Sequence, residues 1–119
     1  MQELPIRQAW TATEPERNYF CRYCGTIITT EHERVERDGE FRHTFTNPAG
    51  IVFGIGCFSD APGCAVAGAH TRENTWFRGY QWCYALCTGC ASPLGWHYRG
   101  RRREAFYGLI LDRLIAPGT

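Results

Sequence analysis

Cys21-Arg22-Tyr23-Cys24-Gly25 and Cys87-Thr88-Gly89-Cys90 repeat one pattern, C-x-x-C, with 62 residues between the two pairs. That spacing lets two thiolates point at one ion from a tight turn, whose backbone N–H groups support the sulfur charge. Glycine suits such a turn where φ becomes positive. Two pairs supply the four-thiolate tetrahedron of a structural Zn²⁺ site, with Cys21, Cys24, Cys87 and Cys90 as ligands. The separation exceeds that of a short zinc finger, so the ion is expected to pin two ends of a larger sheet domain. A closed shell of four sulfurs leaves no position for water or substrate, which argues against a catalytic metal. Two alternatives stand beside it. One is a redox pair, although neither C-x-x-C lies in a thioredoxin-like strand-to-helix context. The other is two disulfides. The remaining thiols, Cys57, Cys64 and Cys83, sit among apolar residues and read as small buried hydrophobes.

Outward from the knuckles the chain reads as short strands. Tyr19–Arg22 and Thr26–Thr29 flank the first knuckle as a hairpin. Glu31–Glu40 is charged and holds the turn dipeptide Asp38-Gly39, as a loop or a single helical turn. Phe41–Thr46 alternates as a half-buried strand, Asn47-Pro48-Ala49-Gly50 is a turn, and Ile51–Phe58 is a buried strand. Cys64–Ala69, Thr75–Leu86, Ser92–Arg99 and Phe106–Leu111 complete the set. Residues 1–18 read as a loosely ordered lead-in, with Trp10 available to dock on the domain, and 19–119 as the folded unit. No repeat and no long amphipathic helix interrupts the pattern. The expectation is a mainly β domain.

Composition narrows the function. The 119 residues suffice for one core. Lys plus Arg number 13 and Asp plus Glu 12, so the basic excess that a non-specific nucleic-acid binder needs is missing. Every one of those cations is Arg, which removes a lysine nucleophile or Schiff base. Met1–Pro15 carries Glu3, Arg7 and Glu14 and no apolar run, so neither a signal peptide nor an anchor is expected. No stretch approaches the length of a membrane span. Seven cysteines, an odd number, fit a reduced, cytoplasmic metal protein better than a secreted disulfide scaffold.

Three of the four Trp fall in one window, Trp76, Trp82 and Trp96, with Tyr80, Tyr84 and Tyr98 beside them. Trp82 and Trp96 lie nearly equidistant from the second knuckle. On antiparallel strands meeting there, they are expected almost opposite one another. Gly79 permits the bend that brings in Trp76. Such indoles can be core, since buried Trp residues pack well and find partners for their N–H. They can equally form a cage that holds a cation against ring faces or sandwiches a small ring.

The run Asn74-Thr75-Trp76-Phe77-Arg78-Gly79-Tyr80-Gln81-Trp82, then Cys87-Thr88-Gly89-Cys90, then Gly95-Trp96-His97-Tyr98, resembles the CULT family, the thalidomide-binding domain of cereblon. Asn47-Pro48-Ala49-Gly50 and Phe106-Tyr107-Gly108-Leu109-Ile110 resemble it too. The resemblance spans residues 19–115 and is nearest to stand-alone bacterial cereblon homologues. It implies a β-tent of two antiparallel sheets pinned by a four-cysteine Zn²⁺ site. It implies a cage of Trp76, Trp82 and Trp96 with Tyr98 as floor or wall, and Asn47 and Pro48 at the mouth. The implied ligands are cyclic imides and ureides, such as the glutarimide of thalidomide-type molecules or a cyclic imide at a modified protein C-terminus. The Asn74 carbonyl and the Trp76 N–H would meet the imide edge, with the Trp82 indole N–H as a further donor. Asn74 and Ala49 depart from residues common in relatives, which bears on side-chain contacts at those corners. Bacterial relatives have no comparable ubiquitin ligase, so no ligase partner is expected.

Two rivals follow from the same residues. The β-tent also resembles methionine-R-sulfoxide reductase, whose chemistry needs a nucleophilic Cys beside the pocket. Cys83 is the nearest thiol but should alternate away from the cage, and the reductase's R-x-C signature is absent. A methyl-ammonium reader would want a carboxylate, for which Glu73 is the nearby residue. His32, His43, His70 and His97 show no catalytic pairing by spacing. Arg99, Arg101, Arg102 and Arg103 read as a solvated turn. The expected activity is therefore binding, without catalysis.

Overall fold

The computed structural model describes residues 17–118. Nine strands run in chain order: β1 Asn18–Cys21, β2 Ile27–Thr30, β3 Arg42–Thr46, β4 Val52–Phe58, β5 Cys64–Thr71, β6 Gln81–Cys87, β7 Pro93–Arg99, β8 Ala105–Ile110 and β9 Leu114–Ile115. Single 3₁₀ turns cover Glu31–Glu33 and Leu111–Arg113. The strands form two antiparallel sheets, ordered β2-β1-β9 and β3-β4-β8-β7-β6-β5. The mainly β, two-sheet architecture is the expected one. Among the described residues no helix is long and apolar enough to cross a membrane.

Alternation along the large sheet separates two cores. Ile55, Cys57, Phe106, Ile110 and Tyr98 pack with Phe77 on one face. Phe58, Leu109, Ala85 and Leu94 face the small sheet and pack with Tyr19, Cys21, Ile28 and Leu114. The register accounts for the split: Tyr98 pairs with Phe106 and Cys57 with Gly108, whereas Phe58 pairs with Tyr107 and Gly56 with Leu109. A sheet with both faces covered needs apolar residues at consecutive positions, which is how Ile51–Phe58 reads.

Three sequence expectations shift. Residues 1–16, with most of the proposed lead-in and Trp10, lie outside the described residues; Asn18 opens β1, one residue before the strand expected from Tyr19, and Arg17 bonds Glu31 at 2.7 Å. The strand expected from Thr75 starts only at Gln81, because Asn74 (φ 55°) and Gly79 (φ 88°) turn the chain out of extended geometry. Segment 72–80 therefore folds over the face of the large sheet, and buried Phe77 anchors it against Tyr98 and Phe106 at centroid distances of 4.9 and 5.0 Å. The short strand β9, two residues long and without a pattern of its own, closes the small sheet by pairing Leu114 with Cys21.

Candidate functional site

The four cysteines of the two knuckles meet between the sheets' ends, with all four sulfurs within 4.8 Å of one another. Cys21 Sγ lies 3.8 Å from Cys90 Sγ, and Cys24 Sγ 3.5 Å from Cys87 Sγ. A tetrahedron with Zn–S bonds of about 2.3 Å has edges of about 3.8 Å. The donor set and its spacing fit one metal ion. No disulfide joins the described cysteines.

The knuckles are built alike, atom for atom. Gly25 N–H donates to Cys21 O at 2.9 Å, and Ala91 N–H to Cys87 O at 2.8 Å. Cys21 N–H reaches Thr26 O, and Cys87 N–H reaches Ser92 O, at 2.8 and 2.9 Å. A hydroxyl then lies beside the second sulfur of each: Thr26 Oγ1 at 3.0 Å from Cys24 and Ser92 Oγ at 3.2 Å from Cys90. The Thr26 hydroxyl pulls the Cys24 thiol down to about 6, and the Ser92 hydroxyl lowers Cys90, while burial raises Cys21 to about 11. Positive φ falls at the residue after each second Cys, Gly25 (82°) and Ala91 (64°). Gly89 serves a different purpose from the expected one: a Cβ there would lie 2.0 Å from Thr26 Oγ1 and 3.1 Å from Cys24 Sγ, so its bareness lets the knuckles close on each other. Ala in the left-handed region costs roughly 1–2 kcal/mol, against about 0.5–1 kcal/mol for glycine's extra chain entropy. Ala91→Gly is expected to stabilise the fold by about 0.5–1 kcal/mol, seen as a thermal midpoint higher by a few degrees.

A cavity of about 310 Å³ opens on the other face of the large sheet. Asn47, Pro48, Asn74, Trp76, Trp82, Trp96 and Tyr98 all line it, together with Phe53 and Tyr84. The volume is at the small end for ligand sites. Trp82 comes from β6, Trp96 and Tyr98 from β7, and Trp76 from the overlying segment 72–80. The β3–β4 turn brings Asn47 and Pro48 to the rim; Asn47 Oδ1 accepts the Ile51 N–H at 2.9 Å and shapes that turn.

The walls are held from behind. Phe45 stacks on Trp76 (4.9 Å, 13°), and Phe53 meets Trp96 edge-on (5.4 Å, 83°). Trp76 and Trp96 touch edge to face at 4.8 Å, while Trp82 makes its ring contact with Tyr84 at 5.3 Å. All three indoles line the void. Tyr98 is 2% exposed and stacks on Phe106, and its burial pushes the phenol well above its ordinary range.

Two details differ from the sequence reading. Trp82 pairs with Tyr98 and Trp96 with Tyr84, so the two Trp are diagonal rather than opposite; a bulge at Ala85/Leu86 removes the symmetry about the knuckle. The Trp82 indole N–H is not free for a ligand: it donates to the Glu73 carbonyl at 2.7 Å. It ties segment 72–80 to β6. Among the described residues neither the Asn74 carbonyl nor the Trp76 N–H takes a backbone partner.

Phe53, which lines the cavity, and Phe45, which backs Trp76, do not stand out in the sequence; Tyr84 does, beside the Trp residues, but not as a lining residue. The alternation His43, Phe45 and Phe53, Ile55 held the signal, but only the register pairs Phe45 with Phe53 and so sets both beside Trp76. Cys83 alternates away from the cavity, as expected, and is 1% exposed; Cys57 is buried and Cys64 partly so. His70 and His97 are strand residues without a Ser or Asp partner, in β5 and β7, but they meet each other. Their rings lie 3.0 Å apart, Nε2 to Nδ1, and His70 Nε2 is 3.4 Å from Cys83 Sγ. Burial holds both imidazoles below the ordinary histidine range; next come the Arg99 charge at His70 and the charges of His70 and Arg99 at His97.

No family model matches the chain. It is similar to protein cereblon of Xenopus tropicalis, 31% identical over 101 residues, and of Gallus gallus, 28% over 102. Cereblon of Drosophila melanogaster is 28% identical over 101 residues. These matches take in 79%, 80% and 79% of this chain but 22%, 23% and 17% of the relatives. The chain thus spans about a fifth of the length of the cereblons that it matches. The fold is similar to the crystal structure of the Mis18 "Yippee-like" domain, at a TM-score of 0.60 and 17% identity, covering 88% of this chain and 98% of that one. That likeness concerns architecture alone. With the two-sheet fold and the four-cysteine cluster already in place, about four fifths of the chain is similar to a segment of cereblon, as the sequence resemblance implies.

Proposed function

We propose that the domain is a small-molecule-binding module. Its aromatic cavity takes the ring of a cyclic imide or ureide, such as a glutarimide, free or at a modified protein C-terminus. A structural Zn²⁺ on Cys21, Cys24, Cys87 and Cys90 holds the scaffold. The observation that carries the reading is the convergence of three indoles on one small cavity, lined also by Asn74, whose carbonyl, like the Trp76 N–H, takes no backbone partner.

The chemistry matches in kind. A glutarimide has one N–H between two carbonyls on an otherwise apolar ring. Indole faces bury its methylenes at about 0.8 kcal/mol each. An unmatched imide group would cost about 1–3 kcal/mol on burial. The Asn74 carbonyl accepts the imide N–H, and the Trp76 N–H donates to one imide carbonyl. With the Trp82 N–H committed to Glu73, the second carbonyl is left to the polar rim near Asn47. No cysteine lines the cavity, and Cys83 lies on the opposite face, so the reductase-type rival lacks a nucleophile where the ligand would sit. What the longer cereblons assemble with is not carried over to this shorter chain.

Glutarimide or hydantoin is expected to quench the tryptophan fluorescence saturably, with tetramethylammonium far weaker. The reverse ranking would replace the imide pocket by a cation cage. Turnover of a methionine sulfoxide that disappears in Cys83→Ser would replace binding by catalysis.

A further inference from the structure

The face of the large sheet turned away from the cavity carries a second cluster of donor atoms. Cys83 on β6 and His97 on β7 are direct cross-strand partners. His70 joins them from the irregular part of β5, where pairing with β6 breaks between Ala67 and Thr71. Gly68, at φ 87°, bends the strand there and is the kind of residue such a bend requires. The result is a row across three strands in which His70 Nε2, Cys83 Sγ and His97 Nδ1 all lie within 4.8 Å of one another.

The spacing is that of a coordination shell. Bonds of about 2.0–2.1 Å to nitrogen and 2.3 Å to sulfur give tetrahedral edges of about 3.4 Å (N–N) and 3.6 Å (N–S). The observed edges are 3.0 Å for His70 Nε2 to His97 Nδ1 and 3.4 Å for His70 Nε2 to Cys83 Sγ. A shift of a few tenths of an ångström in either ring brings them to those values. Tyr107 packs edge-on against the His97 ring at 4.8 Å and fixes its plane. Packing that orients a ligand ring is what a metal-binding imidazole needs. Among the described residues no fourth His, Cys, Asp or Glu joins the group.

We propose that His70, Cys83 and His97 form a second metal site, separate from the four-cysteine centre, for a borderline transition ion of the Zn²⁺ class. Two imidazoles and one thiolate suit such an ion. Three protein ligands leave the fourth position to water or an exogenous ligand, the arrangement of open rather than structural sites. The thiol gives up its proton as the ion enters, so binding releases about one proton. The site shares β6 and β7 with the cavity but opens on the other side of the sheet, and it does not depend on what the cavity binds.

The test uses the folded protein with one Zn²⁺ per chain in the four-cysteine centre, titrated with Co²⁺ alone. One further equivalent of Co²⁺ is expected, with a thiolate-to-cobalt charge-transfer band and with the original Zn²⁺ retained by elemental analysis. Cys83→Ser removes the band, and His70→Ala weakens the second equivalent by at least about tenfold. His70 is only partly buried, so its variant decides the question independently of whether Cys83→Ser folds. Binding that stops at the first ion, or a second equivalent unchanged in His70→Ala, overturns the proposal; the three groups then serve only as a hydrogen-bonded trio between strands.

Discussion

Trp82→Ala is expected to weaken cyclic-imide binding by at least about 2 kcal/mol, roughly thirtyfold, while the domain stays folded. Trp82 does two things at once. Its ring lines the void with Trp76 and Trp96, and its N–H holds the Glu73 carbonyl at 2.7 Å. Truncation opens the cavity and also frees the segment that carries Asn74 and Trp76. Trp82→Phe separates the two contributions. It keeps an aromatic wall and loses only the hydrogen bond, worth about 0.5–1.5 kcal/mol, so affinity should fall about fivefold. Isothermal titration with glutarimide, with circular dichroism as the check on folding, measures both. Unchanged affinity in Trp82→Ala would mean that the cavity is not where the ligand binds.

Removing the metal is expected to unfold the domain. Four-cysteine ions in small peptides bind with about 10–16 kcal/mol, and domains of this size hold together with about 5–15 kcal/mol. Cys21 and Cys87 are 0% and 2% exposed. Without an ion their buried sulfurs neither hold the β1–β2 hairpin to the β6–β7 hairpin nor find an equivalent partner. The loss should reach the cavity as well, because the knuckle Cys87–Cys90 joins the strands that carry Trp82 and Trp96. A strong chelator, or Cys24→Ser, should abolish the cooperative thermal transition and imide binding together, and Zn²⁺ should restore both in the chelated wild type. A stable, ligand-competent apoprotein would show that the sheets hold without it.

The parts legible in the sequence were those carried by spacing alone. Two C-x-x-C pairs dictated the four-cysteine cluster, and the seven residues Asn47, Pro48, Asn74, Trp76, Trp82, Trp96 and Tyr98 line one cavity. What spacing could not reveal depends on register across strands distant in sequence. Phe45 reaches Trp76 only because segment 72–80 crosses the sheet face to the β3–β4 hairpin. The bulge at Ala85/Leu86 moved Trp96 opposite Tyr84. His70 meets His97 and Cys83 through an irregularity in β5 that no local pattern announces. Hydrogen-bond assignments were the least legible: the Trp82 indole has donors' freedom on paper, and its commitment to Glu73 follows from how the loop folds back.

The β6–β7 hairpin carries cysteine sulfurs at its tip, indoles on one surface and Cys83 with His97 on the other. Side chains alternate with a period of two, so one inserted or deleted residue between Trp82 and Cys87 would invert the assignment of every side chain beyond it. A change in the length of these strands is therefore not absorbed locally. Added length is expected to be tolerated instead in connections such as the exposed residues 101–104, where it leaves the phase of the strands untouched.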